Sequence, residues 1–149
     1  MTSLKKGDNA PDFCGANQDG DMVCLNDYKG KKLVLYFYPK DNTPGCAAEA
    51  CSLRDSYEAL LMRGYNVVGV SPDSEKSHKN FIAKHNLPFS LIADTERKIA
   101  EAYGVWGEKK TAGKTYFGIF RTTFVIGIDG KIEEIIAKVD TRNHARQLP

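Results

Sequence analysis

The run Lys32-Leu-Val-Leu-Tyr-Phe-Tyr38 constrains this chain more than any other segment. It is continuously apolar from Leu33, is rich in strand formers and has no polar alternation, so it predicts a strand buried on both faces. Pro39 ends it, and Lys40-Asp-Asn-Thr-Pro-Gly45 reads as a loop. Beyond the loop, Leu53, Tyr57, Leu60 and Leu61 fall at i, i+4, i+7 and i+8, which predicts one amphipathic helix from near Cys46 to Met62, closed by Gly64.

The remaining chain alternates in the same way. Asn66–Val70 reads as a second buried strand, and Ser71–Glu75 as a loop and cap for a helix that runs through Phe81 to Lys84 and that Pro88 cannot extend. Phe89–Ala93 reads as a third strand, and Asp94 as the cap of a short helix carrying Ile99, Ala100 and Tyr103. The lysine-rich stretch from Trp106 to Tyr116 is expected to be a mobile surface loop. Thr123–Ile128 and Lys131–Ile136 flank Asp129-Gly130, a signature of a two-residue hairpin turn. Before the first buried strand, Ala10-Pro-Asp-Phe13 and Met22-Val-Cys-Leu25 flank a polar turn and suit a hairpin beside the core. The order predicts an α/β fold with a mixed sheet covered by helices, as a single domain over residues 1–149.

Composition narrows the partners. Twenty-one Lys and Arg against nineteen Asp and Glu give a net charge of +2, spread along the chain, which argues against nucleic acid. No apolar run approaches the ~18 residues of a membrane span. Nothing apolar follows the start Met1-Thr-Ser-Leu-Lys-Lys6, so the expected compartment is the cytoplasm. The four cysteines Cys14, Cys24, Cys46 and Cys51 contain no C-x-x-C pair, which sets aside a zinc ribbon and a thioredoxin-type dithiol. His78, His85 and His144 are widely spaced and are expected at the surface or as caps rather than around a metal.

Cys46 follows Pro44-Gly45 where the buried strand's C-terminal end meets a helix N-terminus, the usual place for chemistry in an open α/β sheet. Backbone N–H groups at a helix start favour thiolate over thiol, and Gly45 keeps side-chain bulk away from the sulfur. Cys51 lies five residues on. In an intact helix that spacing separates the Cα atoms by roughly 8 to 9 Å, too far for a disulfide. The pair therefore predicts a switch between a folded dithiol and a disulfide that requires the first helical turn to unwind. The plainer alternative is two small semi-buried cysteines.

Pro39, Thr43 and Cys46 form the pattern P-x3-T-x2-C, with a second cysteine five residues later. Together with Gly69-Val-Ser-Pro-Asp-Ser74, Leu87-Pro-Phe89, Ala102-Tyr-Gly104 and Arg121-Thr-Thr-Phe124, this ordered set resembles the peroxiredoxins over almost the whole chain. The resemblance is in particular to the subgroup called peroxiredoxin Q or bacterioferritin comigratory protein. The resemblance implies a thioredoxin-like fold with an N-terminal hairpin and a thiol-dependent peroxidase acting on hydrogen peroxide and organic hydroperoxides. It implies Cys46 as the peroxidatic cysteine and Cys51 as the resolving one, joined by a Cys46–Cys51 disulfide that thioredoxin or a similar dithiol reduces. Thr43 would orient Cys46 and the peroxide, Arg121 would supply a fixed positive charge, Pro39 would shield the site, and Glu49 would steady the arginine.

No metal or organic cofactor is implied, and a monomer is expected because both cysteines lie on one helix. A peroxide sensor or relay using the same switch is the alternative function. Cys14 and Cys24 match no catalytic position of the subgroup and read as buried small residues, with a disulfide between them as the alternative if their segments pair. Ala47 and Ala48 stand where relatives often have threonine. The stretch Thr141–Pro149 stops where the subgroup usually completes an apolar helix, so less packing is expected there.

Overall fold

A computed structural model describes residues 2–149. The chain opens with β1 (Cys14–Ala16), β2 (Met22–Cys24) and a 3-10 turn at Leu25–Tyr28, then runs through β3 (Lys32–Phe37), α1 (Pro44–Asp55) and α2 (Tyr57–Met62). β4 (Tyr65–Ser71), α3 (Glu75–His85), β5 (Ser90–Ala93) and α4 (Lys98–Ala102) follow. The last third holds β6 (Trp106–Thr111), β7 (Lys114–Ile119), β8 (Thr122–Ile126), β9 (Ile132–Ile136) and α5 (His144–Gln147).

Five strands form the central sheet in the order β5-β4-β3-β8-β9. β3, β4 and β5 are parallel, and β8 turns the sheet antiparallel beside β3. The unbroken apolar run of β3 is explained by its central place. Leu33, Leu35 and Phe37 enter a core with Phe13, Val23, Ile99 and Tyr103 from the β1–β2 hairpin and α4. Val34, Tyr36 and Tyr38 enter the opposite core with Cys46, Ala50, Leu53 and Phe81 from α1 and α3. Gly69 on β4 makes room for this second core, because a Cβ there would stand 2.7 Å from Leu91 and 2.8 Å from the ring of Tyr36. Gly69→Ala is therefore expected to cost about 1–3 kcal/mol through overpacking, read as a lower urea midpoint at unchanged m-value.

The structure corrects four expectations. The helix from Cys46 to Met62 is two helices, because Ser56 leaves helical geometry at φ −107° and ψ 8° and caps both. Serine's hydroxyl competes for backbone groups and favours such ends. The stretch from Trp106 to Tyr116 is not a loop but most of the β6–β7 hairpin, turned at Ala112-Gly113 with φ of 51° and 78°. Two consecutive positive φ values belong to the tight hairpin turn whose twist matches the flanking strands. The β8–β9 connection is longer than two residues: Gly127 N donates to Lys131 O and Gly130 N to Gly127 O, with Gly130 at φ 78°. That is a three-residue loop with its glycine in the left-handed position.

The fourth correction concerns Cys14 and Cys24, which are not buried. Cys14 is exposed, Cys24 is half-buried, and the two are joined by a disulfide between facing positions of β1 and β2. Phe13 and Gly15 turn inward, Gly15 against Ile92 and Ile99, so strand alternation sends Cys14 outward. Leu25 N donates to Phe13 O, while Cys24 N is taken by Asp27, which leaves the two cysteines as a close pair without mutual backbone bonds.

Candidate active site

Pro44, Gly45 and Cys46 are the first three residues of α1, with Thr43 as the cap. Thr43 Oγ1 accepts from Cys46 N at 3.4 Å and donates to Lys40 O at 3.2 Å, so one hydroxyl ties the helix start to the loop. Pro44 suits the first helical position, where its missing N–H would have had no partner. Cys46 is only 1% exposed and lies at the edge of the core. Pro39 follows Tyr38 directly and is half-buried.

Cys46, Glu49, Ala50 and Leu53 make the buried stripe of α1, at i, i+3, i+4 and i+7. The glutamate on this stripe faces Arg121, which precedes β8. Arg121 Nη1 donates to Glu49 Oε1 at 2.6 Å and Nη2 to Cys46 Sγ at 3.2 Å. A Cβ on Gly45 would stand 3.3 Å from Nη2, so the space that glycine leaves is filled by the guanidinium.

Burial pushes the Glu49 carboxyl up to about 7, against the opposing pull of Arg121's charge and hydrogen bond. Its second oxygen lies 3.5 Å from His144 Nε2, which is itself 2.7 Å from Thr123 Oγ1. Burial lowers the imidazole of His144, so this contact joins a carboxyl to a neutral ring rather than two charges.

A second buried network holds the loop between β3 and α1. Tyr38 Oη donates to Asp41 Oδ1 at 2.6 Å, Ser77 Oγ donates to Oδ2 at 2.7 Å, and His78 Nδ1 lies 2.8 Å from the same oxygen. Burial alone would raise the Asp41 carboxyl, but hydrogen bonds from His78, Tyr38 and Ser77 hold it below its ordinary value. Asp41, Asp73 and His78 bring possible ligand atoms within 4.8 Å of one another. Their atoms are engaged: Asp73 accepts from Asp41 N and Ser71 Oγ, and His78 Nε2 lies 2.9 Å from Ile92 O. The cluster braces the loop that carries Thr43.

Cys51 is on the flank of α1, half-buried, and like Cys46 it is a free thiol in an intact helix. Its sulfur lies 3.7 Å from His85 Nδ1 at the end of α3.

Of the six residues expected at the site, the structure joins Cys46, Thr43, Arg121 and Glu49 by direct hydrogen bonds. The expectation of surface or capping histidines is overturned for His78 and His144, which are fully buried. The signal for His78 was present: His78, Phe81 and His85 recur at i, i+3 and i+7, which puts the histidines on the apolar stripe of α3. No spacing rule pointed to His144 beneath Glu49.

The sequence pattern of the AhpC/TSA family matches residues 6–135. The chain is 48% identical to peroxiredoxin Bcp of Bacillus subtilis (strain 168) over 145 residues, covering 97% of this chain and 92% of that protein. Identity to peroxiredoxin Bcp of Escherichia coli (strain K12) is 45% over 144 residues, again 97% and 92% of the two chains. Among solved structures, a Cys-to-Ser mutant of Xylella fastidiosa PrxQ superposes with a TM-score of 0.92 at 33% identity, covering 99% and 94%. With a thioredoxin-like sheet, a cysteine at the capped start of α1 and an arginine on its sulfur, the chain belongs to the AhpC/TSA family as a peroxiredoxin of the Bcp and Q group.

Proposed function

We propose that this peroxidase reduces hydrogen peroxide and small organic hydroperoxides through Cys46, resolves through Cys51, and is recycled by thioredoxin or a similar dithiol. The observation that carries the reading is the Arg121 guanidinium, 3.2 Å from Cys46 Sγ and fixed by Glu49 at 2.6 Å. The nucleophile in such a displacement is a thiolate, and Arg121 supplies a fixed charge and N–H donors for both the sulfur and the reacting oxygens. Alkyl peroxide reduction is the activity named for the bacterioferritin comigratory protein of Xanthomonas campestris, which superposes with a TM-score of 0.87 at 33% identity over 99% of this chain.

In the first step Cys46 Sγ attacks the terminal peroxide oxygen, the O–O bond breaks, and water or an alcohol leaves once the departing oxygen is protonated. The sulfur is oxidised to a sulfenic acid. In the second step Cys51 Sγ attacks that sulfur, the S–O bond breaks and water leaves, giving the Cys46–Cys51 disulfide. Thiol exchange with the external dithiol restores both cysteines. Thr43 holds Cys46 through its backbone, and the role left to Pro39, half-buried at the end of the same strand, is to shield the site from water. Because both sulfurs lie on α1, resolution needs no second chain, which supports a monomer built as one domain. Recycling by a dithiol suits a reducing cytoplasm. Native mass with and without reductant reads the oligomeric state; a reductant-sensitive dimer would count against resolution within one chain.

The test is peroxide consumption coupled to a thioredoxin system, with oxidised protein mapped by non-reducing peptide mass analysis. Wild type is expected to turn over and to carry a Cys46–Cys51 bridge. Cys51→Ser is expected to consume about one peroxide per chain and then stop, since its sulfenic acid has no intramolecular partner. Undiminished steady-state turnover by Cys51→Ser would remove Cys51 from the cycle.

A further inference from the structure

We propose that His85 is the general base of the resolving step, taking the thiol proton of Cys51 at Nδ1 as that sulfur attacks the Cys46 sulfenic acid. The inference rests on the reading of Cys51 as the resolving thiol.

The three histidines differ in how their ring nitrogens are used. His78 and His144 engage both nitrogens, with Asp41 and Ile92 O in one case and Thr123 and Gln147 in the other. His85 Nε2 is buried with no hydrogen-bond partner among the described residues, and Nδ1 faces Cys51 Sγ at 3.7 Å. Nδ1 is thus the ring atom within reach of the thiol, and in the tautomer with its hydrogen on Nε2 the ring offers the Nδ1 lone pair to Cys51. The charged and titratable groups facing the ring are Cys51 and Arg54 on α1, with Asp55 paired to Arg54, and Lys84 on its own helix. Burial, Lys84 and Arg54 all lower the imidazole, which keeps it in the accepting form near neutral pH.

The contact also survives the motion that resolution requires. The second half of α1 is fixed by several ties: Arg54 Nη1 donates to His85 O at 2.8 Å, Ser52 Oγ accepts from Ala145 N at 3.2 Å, and Leu53 is fully buried. The first turn depends on Thr43, Arg121 and the packing of Cys46 itself. Unwinding the first turn moves Cys46 toward Cys51, while Cys51 stays beside His85. The proton then passes from Cys51 Sγ to Nδ1, the sulfur–sulfur bond forms, and the S–O bond of the sulfenic acid breaks. Hydroxide leaves and takes up a proton to become water. The Cys51 sulfur is oxidised and the Cys46 sulfur reduced, so no outside oxidant enters.

The experiment is single-turnover stopped flow on the reduced full chain mixed with hydrogen peroxide, with acid quench and mass analysis separating sulfenic acid formation from disulfide formation. In His85→Gln the second phase is expected to slow about tenfold near pH 7, since only a few per cent of an unassisted thiol is ionised there. The first phase should keep its rate. In His85→Ala, added imidazole is expected to restore part of the second phase, which a structural role would not allow. More Cys46 should reach the sulfinic state at a given peroxide dose, because slower resolution leaves the sulfenic acid open to a second oxidation. An unchanged second phase, equal slowing of both phases, or no response to imidazole overturns the proposal. If Cys51→Ser still forms an intramolecular disulfide that contains Cys46, the underlying reading of Cys51 fails instead, and the two failures are told apart in the same mass analysis.

Discussion

Cys46→Ser is expected to reduce peroxide consumption to the uncatalysed background while leaving the fold intact. A serine hydroxyl does not ionise near neutral pH, and the group recorded against this side chain is the Arg121 guanidinium, a donor rather than a base. The contacts that shape the helix start do not depend on the sulfur: Thr43 caps through Cys46 N, and Arg121 retains Glu49. Far-UV circular dichroism should therefore match wild type, and coupled peroxide consumption should fall to the rate without protein. Retained turnover would move the chemistry to another sulfur or outside the cysteines altogether. Second-order rate constants for wild-type oxidation also separate a turnover enzyme from a peroxide sensor, since a sensor has no need of donors aimed at the transition state.

Arg121→Met should lower the rate of Cys46 oxidation by about 10²–10³-fold, the usual cost of removing a donor from developing transition-state charge. It should also alter stability in a pH-dependent way. Glu49 is fully buried and Arg121 is its charge partner. In wild type the carboxyl already titrates near 7, above its unfolded value, so its contribution is fully present below the unfolded value and is lost as pH rises through about 7. Without Arg121 the folded carboxyl rises further, and the loss continues to higher pH. The stability curves of variant and wild type should run close together near pH 5 and diverge above pH 7, by on the order of 3 kcal/mol for an unpaired buried charge. Urea titrations at pH 5 and pH 8.5 measure the divergence. Adding Glu49→Gln to Arg121→Met should close the stability gap without restoring the rate. Equal destabilisation at both pH values would mean that the guanidinium matters for packing rather than for charge.

The sheet's middle was legible because burial on both faces leaves an unbroken apolar run, as in β3 and β4. The β6–β7 hairpin was illegible for the opposite reason. Its residues Glu108 to Phe117 are largely exposed, so no alternation marks its strands, and pairing with each other is what makes them strands. Cys46 and Cys51 sit in one short stretch where helix-start chemistry and spacing can be read, while Pro39 and Thr43 beside them were marked by the family pattern. Arg121 comes to the sulfur from 75 residues away, and only family likeness pointed to it. Glu49 offered a local sign, an acid on an apolar helix stripe. His85 and His144 offered less, because their meaning comes from the side chains across from them, Cys51 and Glu49.

The placement of the Cys14–Cys24 bridge has a chemical outcome for a chain with four sulfurs. The bridge lies on the outward side of the β1–β2 hairpin, which packs on one face of the central sheet, while Cys46 sits in the core of the other face. Thiol exchange needs one sulfur to approach another along the disulfide axis, and the sheet stands between the two pairs like insulation between wires. Oxidising equivalents captured at Cys46 therefore cannot leak to the hairpin within a folded molecule. Each pair exchanges electrons only with solvent-borne thiols, and scrambled pairings such as Cys14 with Cys51 become a mark of chains that have unfolded.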